Sequence, residues 1–387
     1  MGAPENPGGD MGEAPTGGTT ASSAGRVAAV ALALVVVLAV LALFAGWVWL
    51  LVTDDGLTRI VWAVLGVLFF WRMVPRPARV DARAVELTRA DAPRLHDLVD
   101  AVAEAVATRP PDRVLADTTY PVAVRAHGYR GGATLVVGLP QWTALDPAER
   151  VAVLAHELRC AHVDRGAAGT VVRLAQDLLI SARTLFTPTR TVTADTKAVD
   201  QSLSSVAVLG LTHELAGNQA QREASASAGA AGLSVVGAPF RWTQSLLTRL
   251  WRPTLHAAAL EADRRAVSLA GPVATRGWLL STVGVARGMT AAGNAARTPG
   301  ADPFAAMEAA GRPDAAELQR RLAAEPDASD DPRHPPTSQR LHAVEHAEPV
   351  ASDWVDRSPL AGADGEVFRV RTALTQQFRE ELVHGRS

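Results

Sequence analysis

From Val27 to Val52 the chain reads VAAVALALVVVLAVLALFAGWVWLLV, 26 residues without one charge. A helix crosses about 30 Å of hydrocarbon in around 20 residues, so this run is long enough to span a bilayer with some tilt. Trp47 and Trp49 stand near its end, where amphipathic rings favour the membrane interface. The run is too long, and the segment before it too poor in positive charge, to read as a cleaved signal peptide. Asp54, Asp55 and Arg59 then make a polar break before a second apolar stretch, Ile60 to Trp71 (IVWAVLGVLFFW). Alone it is short for a span. Beside a longer partner, with Arg72 reaching back to the interface, it closes a transmembrane helical hairpin. The alternative is an interfacial or half-buried helix. Arg72, Arg76, Arg79, Arg83 and Arg89 follow, and positive charge marks the cytoplasmic side. The expectation is therefore a multi-pass protein of the cell membrane, with both the N-terminal tail and the large soluble part in the cytoplasm.

The 387 residues allow about two domains. Residues 1–25, rich in Gly, Pro, Ala, Ser and Thr, read as a disordered tail, and 26–75 as the hairpin. Residues 79–295 read as the globular body, 296–333 as a Pro/Asp/Ala-rich surface excursion with a short amphipathic helix, and 334–387 as a C-terminal part packing back on the body. With 38 basic against 40 acidic residues and 5% aromatics, the chain offers neither the field nor the stacking surface for nucleic acid. Its one cysteine, Cys160, excludes an internal disulfide, a Cys-cluster zinc finger and a CxxC redox pair, and suits a cytoplasmic location. Helical periodicity predicts a helix over Ala92–Ala107, with Leu95, Leu98, Val99, Val102 and Val106 on one side. Thr134–Leu139 (TLVVGL) predicts a strand. Ser225–Phe240 is apolar enough to touch a bilayer but too broken to span it.

The chemistry concentrates in Leu145–Gly166, LDPAERVAVLAHELRCAHVDRG. Asp146 as N-cap, Pro147 at the first helical position and Glu149 three residues on predict a capped helix. Val151, Leu154 and Leu158 face inward, and His156–Glu157 sit at its centre. In H-E-x-x-H peptidases two histidines four apart reach one zinc, and the glutamate takes a proton from zinc-bound water. Here the fourth residue after His156 is Cys160. His162 lies about 240° round the helix and cannot share an ion with His156. A second H-E pair, His213–Glu214, reads as chance.

Three blocks together resemble the HtpX-like membrane zinc metallopeptidases, the family that also holds the CAAX prenyl endopeptidases. They are the helix above, ALEADRRAVSLAGP from Ala259 to Pro272, and HPPTSQRLHAV from His334 to Val344. Their order and the N-terminal hairpin agree as well. The resemblance covers roughly Arg79 to Val344. It implies an α+β, mostly helical, zincin-like fold with a small sheet, and polypeptide substrates that pair as a strand with a sheet edge. It makes His156 the first zinc ligand, Glu157 the catalytic base and Asp263 the carboxylate that orients a ligand. Tyr120–Pro121–Val122–Ala123 is similar to a cleft-lining stretch of that family.

The departures fall where the chemistry is. Cys160 stands at the second ligand and remains a usable donor as thiolate. Ala259 stands at the third and offers none. A catalytic zinc needs three protein ligands plus water. Glu261 points away from Ala259, whereas His256 and Asp263 lie one turn to either side, so a shifted His156–Cys160 site with either as third ligand is one rescue. The main expectation is a degenerate member, a pseudopeptidase binding peptide or membrane-protein segments with zinc possibly lost. An active zinc metalloendopeptidase with an atypical ligand set is the second. A Cys160 with its own nucleophilic or redox chemistry is the third, against the plain reading of a buried apolar thiol.

Overall fold

A computed structural model of the chain describes residues 23–73, 83–128, 131–185, 228–325, 331–347, 354–357 and 360–384, of which 185, 228–236, 356, 357, 361 and 382–384 are described by their backbone alone. The fold is mostly helical, with one small mixed sheet. Helix α1 (Ser23–Thr53) covers the uncharged run and begins before the boundary at 26, so Ser23–Gly25 belong to it rather than to the tail. At 1.5 Å per residue it is about 46 Å long, more than the hydrocarbon thickness. Of the described helices it alone is long and apolar enough to cross a membrane. Helix α2 (Leu57–Met73) turns back along α1 through Gly56, whose φ of 90° glycine adopts without strain. The two helices approach closely because Gly66 lacks a side chain: a Cβ there would lie 1.8 Å from Trp47 Nε1. Trp47 Nε1 donates to the Trp62 carbonyl at 2.8 Å, and Phe44 meets Phe70 edge-on at 5.0 Å. The N-terminal half of α1 buries Ala29 and Ala33 against α6 (Ala167–Leu185) and α7 (Ala228–Ala296). The arginines at 76 and 79 and the His213–Glu214 pair lie outside the described residues.

The sheet comprises β1 (Val85–Glu86), β2 (Arg113–Asp117), β3 (Ala123–His127) and β4 (Gly132–Gly138), in the order β1-β2-β4-β3. β2 and β4 run parallel, and β1 and β3 are antiparallel edges. The strand expected at Thr134–Leu139 is β4, shifted by a residue or two, and its continuation is the short helix α4 (Leu139–Ala144), which buries Trp142. Helix α3 (Pro93–Ala105) buries Leu95, Leu98, Val99 and Val102, the 3.6-residue stripe read from its sequence. Each such side chain contributes roughly 1.5–3 kcal/mol on burial.

Helix α5 (Pro147–Arg165) lies between the sheet and α7. α7 breaks at Gly271, where φ 84° and ψ 161° are non-helical, and resumes at Pro272. Gly271–Pro272 thus makes a kink and not a stop, because Pro272 supplies a good first residue for the next turn. The segment 296–333, expected as a surface excursion, contributes to the core instead. It forms α8 (Pro303–Ala310) and the amphipathic α9 (Ala315–Ala324), and α8 buries Phe304 and Met307, three residues apart on one face. Helices α10 (Thr337–Glu345), α11 (Trp354–Arg357), α12 (Leu360–Phe368) and α13 (Arg371–His384) complete the chain. The C-terminal part does pack back on the body. The Glu366 carboxylate accepts from the Arg94 and Leu95 amides at 3.1 and 2.8 Å, capping α3 from far along the chain. Asp364 accepts from Trp142 Nε1 at 3.0 Å and from Arg150 at 2.5 Å.

Candidate functional site

Helix α5 starts as its sequence predicts. The Glu149 carboxylate accepts from the Asp146 amide at 3.0 Å, closing the capping box, and Arg312 pairs with Glu149. Val151, Leu154 and Leu158 anchor it in the core. That anchoring turns His156 toward α7 and α10 and leaves His162 exposed on the other side.

His156 is fully buried. Its Nδ1 lies 2.8 Å from Asp263 Oδ1 on α7. Asp263 is also fully buried and takes a two-pronged contact from Arg340 of α10, at 2.9 Å to Nε and 2.7 Å to Nη2. Arg340 Nη2 stands 3.3 Å from both His156 nitrogens, which is not an in-line approach to either lone pair. Trp278 packs against the imidazole, and Arg340 stacks over the same indole at 5.2 Å. Burial lowers the His156 pKa, and the Arg340 charge acts in the same direction. The imidazole is thus neutral at pH 7, the form that binds metals. Burial alone would raise the Asp263 carboxyl, but Arg340 and His156 outweigh it and hold it below the ordinary range.

With Nδ1 engaged, His156 presents Nε2 to Cys160, whose Sγ is 3.3 Å away. Burial pushes the Cys160 thiol well up, and Glu157 and Asp263 add to the shift. A low-pKa nucleophile is the opposite case. Glu157 is directed to the sheet edge: its Oε2 accepts from the Val124 amide of β3 at 3.3 Å. Val124 pairs with Leu135 of β4, so this amide points outward from the ladder. The stretch Tyr120–Ala123 leads into the same edge, and the Val122 amide donates to Gln141 Oε1 at 2.6 Å.

Ala259 is fully buried on α7, and only its methyl group is available there. Neither proposed substitute joins His156 and Cys160. His256 Nε2 lies 3.4 Å from the Asp331 carbonyl, and Asp263 is engaged by Arg340 and His156 Nδ1. Glu261 pairs with Arg265 at 3.1 Å on an exposed face. The side chain that does converge is His334, just ahead of α10. A nitrogen of His156, the Cys160 sulfur and a nitrogen of His334 all lie within 4.8 Å of one another. Sequence reasoning quoted His334 as part of a motif and gave it no role. Its proximity depends on the packing of α10 against α7 and α5, to which spacing along the chain gives no access.

Zinc–sulfur and zinc–nitrogen bonds of about 2.3 and 2.0 Å at a tetrahedral angle put S and N about 3.5 Å apart. The Cys160–His156 separation of 3.3 Å is close to that value, and two imidazoles with a thiol are a zinc-type donor set. The residues present therefore fit zinc. Cys160 and His334 border a cavity of about 20 Å³ that is also lined by Glu157, Asp164 and Arg333. That is room for one ion or water and little else. Arg333 pairs with Asp164 at 2.9 Å across its rim. A wider depression of about 360 Å³ lies elsewhere, beside Thr108, Gly131, His162 and Arg165, away from this chemistry. Compared with family models, with curated proteins and with solved structures, the chain has no match.

Proposed function

We propose that the chain is a membrane-anchored pseudopeptidase of HtpX-like build that binds polypeptide segments. Helices α1 and α2 would form its membrane hairpin, with the body on the cytoplasmic side. The carrying observation is the state of Glu157. Its carboxylate borders a cavity of about 20 Å³ and accepts the outward amide of Val124, where a peptidase needs a carboxylate facing water and a substrate carbonyl. The buried methyl of Ala259 in place of a donor supports the same reading. The edge of β3 is the surface on which an extended segment would pair, displacing Glu157 from Val124.

Purified full-length protein in detergent, with zinc added, should cleave casein no faster than its Glu157→Gln form. Cleavage that Glu157→Gln abolishes would overturn the reading. Ala126 pairs with Ala133 two positions from Val124, so its amide also points outward. Ala126→Pro should weaken capture of an unfolded polypeptide about tenfold without disturbing the β3–β4 ladder. Alkaline phosphatase fused after the C-terminus should be inactive, and fused at Gly56 it should be active.

A second reading, a working zinc endopeptidase, is favoured by one observation, the approach of His334 as a third donor. The Glu157→Gln comparison decides between the two.

A further inference from the structure

We infer that His156, Cys160 and His334 hold one zinc-class ion, with His334 taking the place of the donor that Ala259 lacks. The inference does not depend on peptide binding or on the absence of cleavage.

Two independent features carry it. First, the three donor atoms lie within 4.8 Å of one another, and Cys160 Sγ stands 3.3 Å from His156 Nε2. Second, both histidines are oriented by carboxylates. Asp263 holds His156 Nδ1 at 2.8 Å, and Asp331 Oδ2 holds His334 Nδ1 at 2.8 Å. A carboxylate on Nδ1 fixes the tautomer and leaves Nε2 as the free donor, the arrangement found behind metal-bound histidines. Asp331 is itself fixed, since its Oδ1 accepts the Arg333 amide at 2.8 Å. The soft sulfur with two imidazoles selects zinc over magnesium or calcium, which prefer oxygen. Bound there, the ion would tie α5 to the segment that leads into α10.

The test uses full-length protein in detergent, stripped with chelator and titrated with cobalt(II), then zinc. Cobalt should enter at one per chain with a thiolate-to-cobalt charge-transfer band in the near ultraviolet and the visible bands of a tetrahedral centre. Zinc should displace it. Cys160→Ser should abolish the charge-transfer band. His334→Ala should weaken cobalt binding at least 100-fold, and Asp331→Asn about tenfold, as expected for a partner behind a ligand. His334→Cys restores a donor and should recover binding with a stronger sulfur band. It also covers the case in which His334→Ala fails to fold. Titration without a sulfur band, or a His334→Ala spectrum and affinity equal to the parent's, overturns the assignment. Metal binding without cleavage, cleavage without this ligand set, and neither, are separate results, so failure here is distinct from failure of the pseudopeptidase reading.

Discussion

Replacing Arg340 with methionine tests the packing of the site most severely. Asp263 is fully buried, and its two oxygens receive Arg340 at 2.9 and 2.7 Å. Methionine keeps most of the volume and removes the charge. Asp263 then retains only His156, at 2.8 Å, as its partner. Breaking a buried ion pair from one side costs about 3–5 kcal/mol, because the remaining charge has lost its compensation. For a domain of this size about 1 kcal/mol shifts the melting midpoint by 2–4 °C, so the expected fall is roughly 6–20 °C. The assay is thermal unfolding of the full chain in detergent, with chelator present so that metal does not contribute. The double variant Arg340→Met with Asp263→Leu should recover at least about half of that loss, since a buried pair exchanged for apolar groups is often near neutral. Groups in direct contact are not additive, and the cycle should show coupling of about 2 kcal/mol or more. A single variant within about 2 °C of the parent, or a double variant equal to the sum of the singles, would refute the claim that this pair is desolvated and mutually dependent.

Glu366→Ala removes the acceptor for two amides at the start of α3 and should cost about 1–3 kcal/mol, read as a lower melting midpoint that Glu366→Gln partly restores. Gly66→Leu should drive α1 and α2 apart, because a Cβ there already meets Trp47. In a Cys160→Ser background, cysteines at Phe44 and Phe70 should cross-link readily, and adding Gly66→Leu should stop them. Asp177 on α6 has its pKa raised by burial to about 6, with Arg173 opposing the shift. The native state holds this proton to higher pH than the unfolded chain, so its contribution to stability is full below about pH 4 and is lost as pH rises through 6. Asp177→Asn should therefore stabilise the protein by about 1–2 kcal/mol at pH 7.5, after allowing for partial exposure, and make no gain at pH 4; equal midpoints at both pH values would contradict this.

Local signals in the sequence place element ends to within about four residues. Asp146, Pro147 and Glu149 predict the start of α5, the stripe from Leu95 to Val102 predicts α3, and the uncharged run predicts α1. Each rests on caps, periodicity or length, which are properties of contiguous residues. Gly271–Pro272 carries the signature of a break, but a kink and a stop look the same locally. The strands β2 and β3 were not anticipated, since five-residue runs such as RVLAD carry little pattern before a neighbouring strand pairs with them. The burial of Phe304 was missed because Pro, Asp and Ala around it suggest a loop, while the core surface it fills is made by α7 and α4. At the site, the position of His156 on α5 was legible. The choice of His334 over His256 was not, because it depends on where α10 docks and on Asp331 turning the imidazole inward.

The remote cap on α3 has a consequence for how the protein is made. Helix α3 leaves the ribosome long before the Glu366 carboxylate that satisfies its first amides, which follows 272 and 271 residues behind Arg94 and Leu95. Until then Trp142 and Arg150 also wait for Asp364. A nascent chain truncated before 360 would leave these groups buried without their acceptors, so the body closes only once that segment has emerged, and early termination should yield a species open to proteolysis rather than a smaller folded domain.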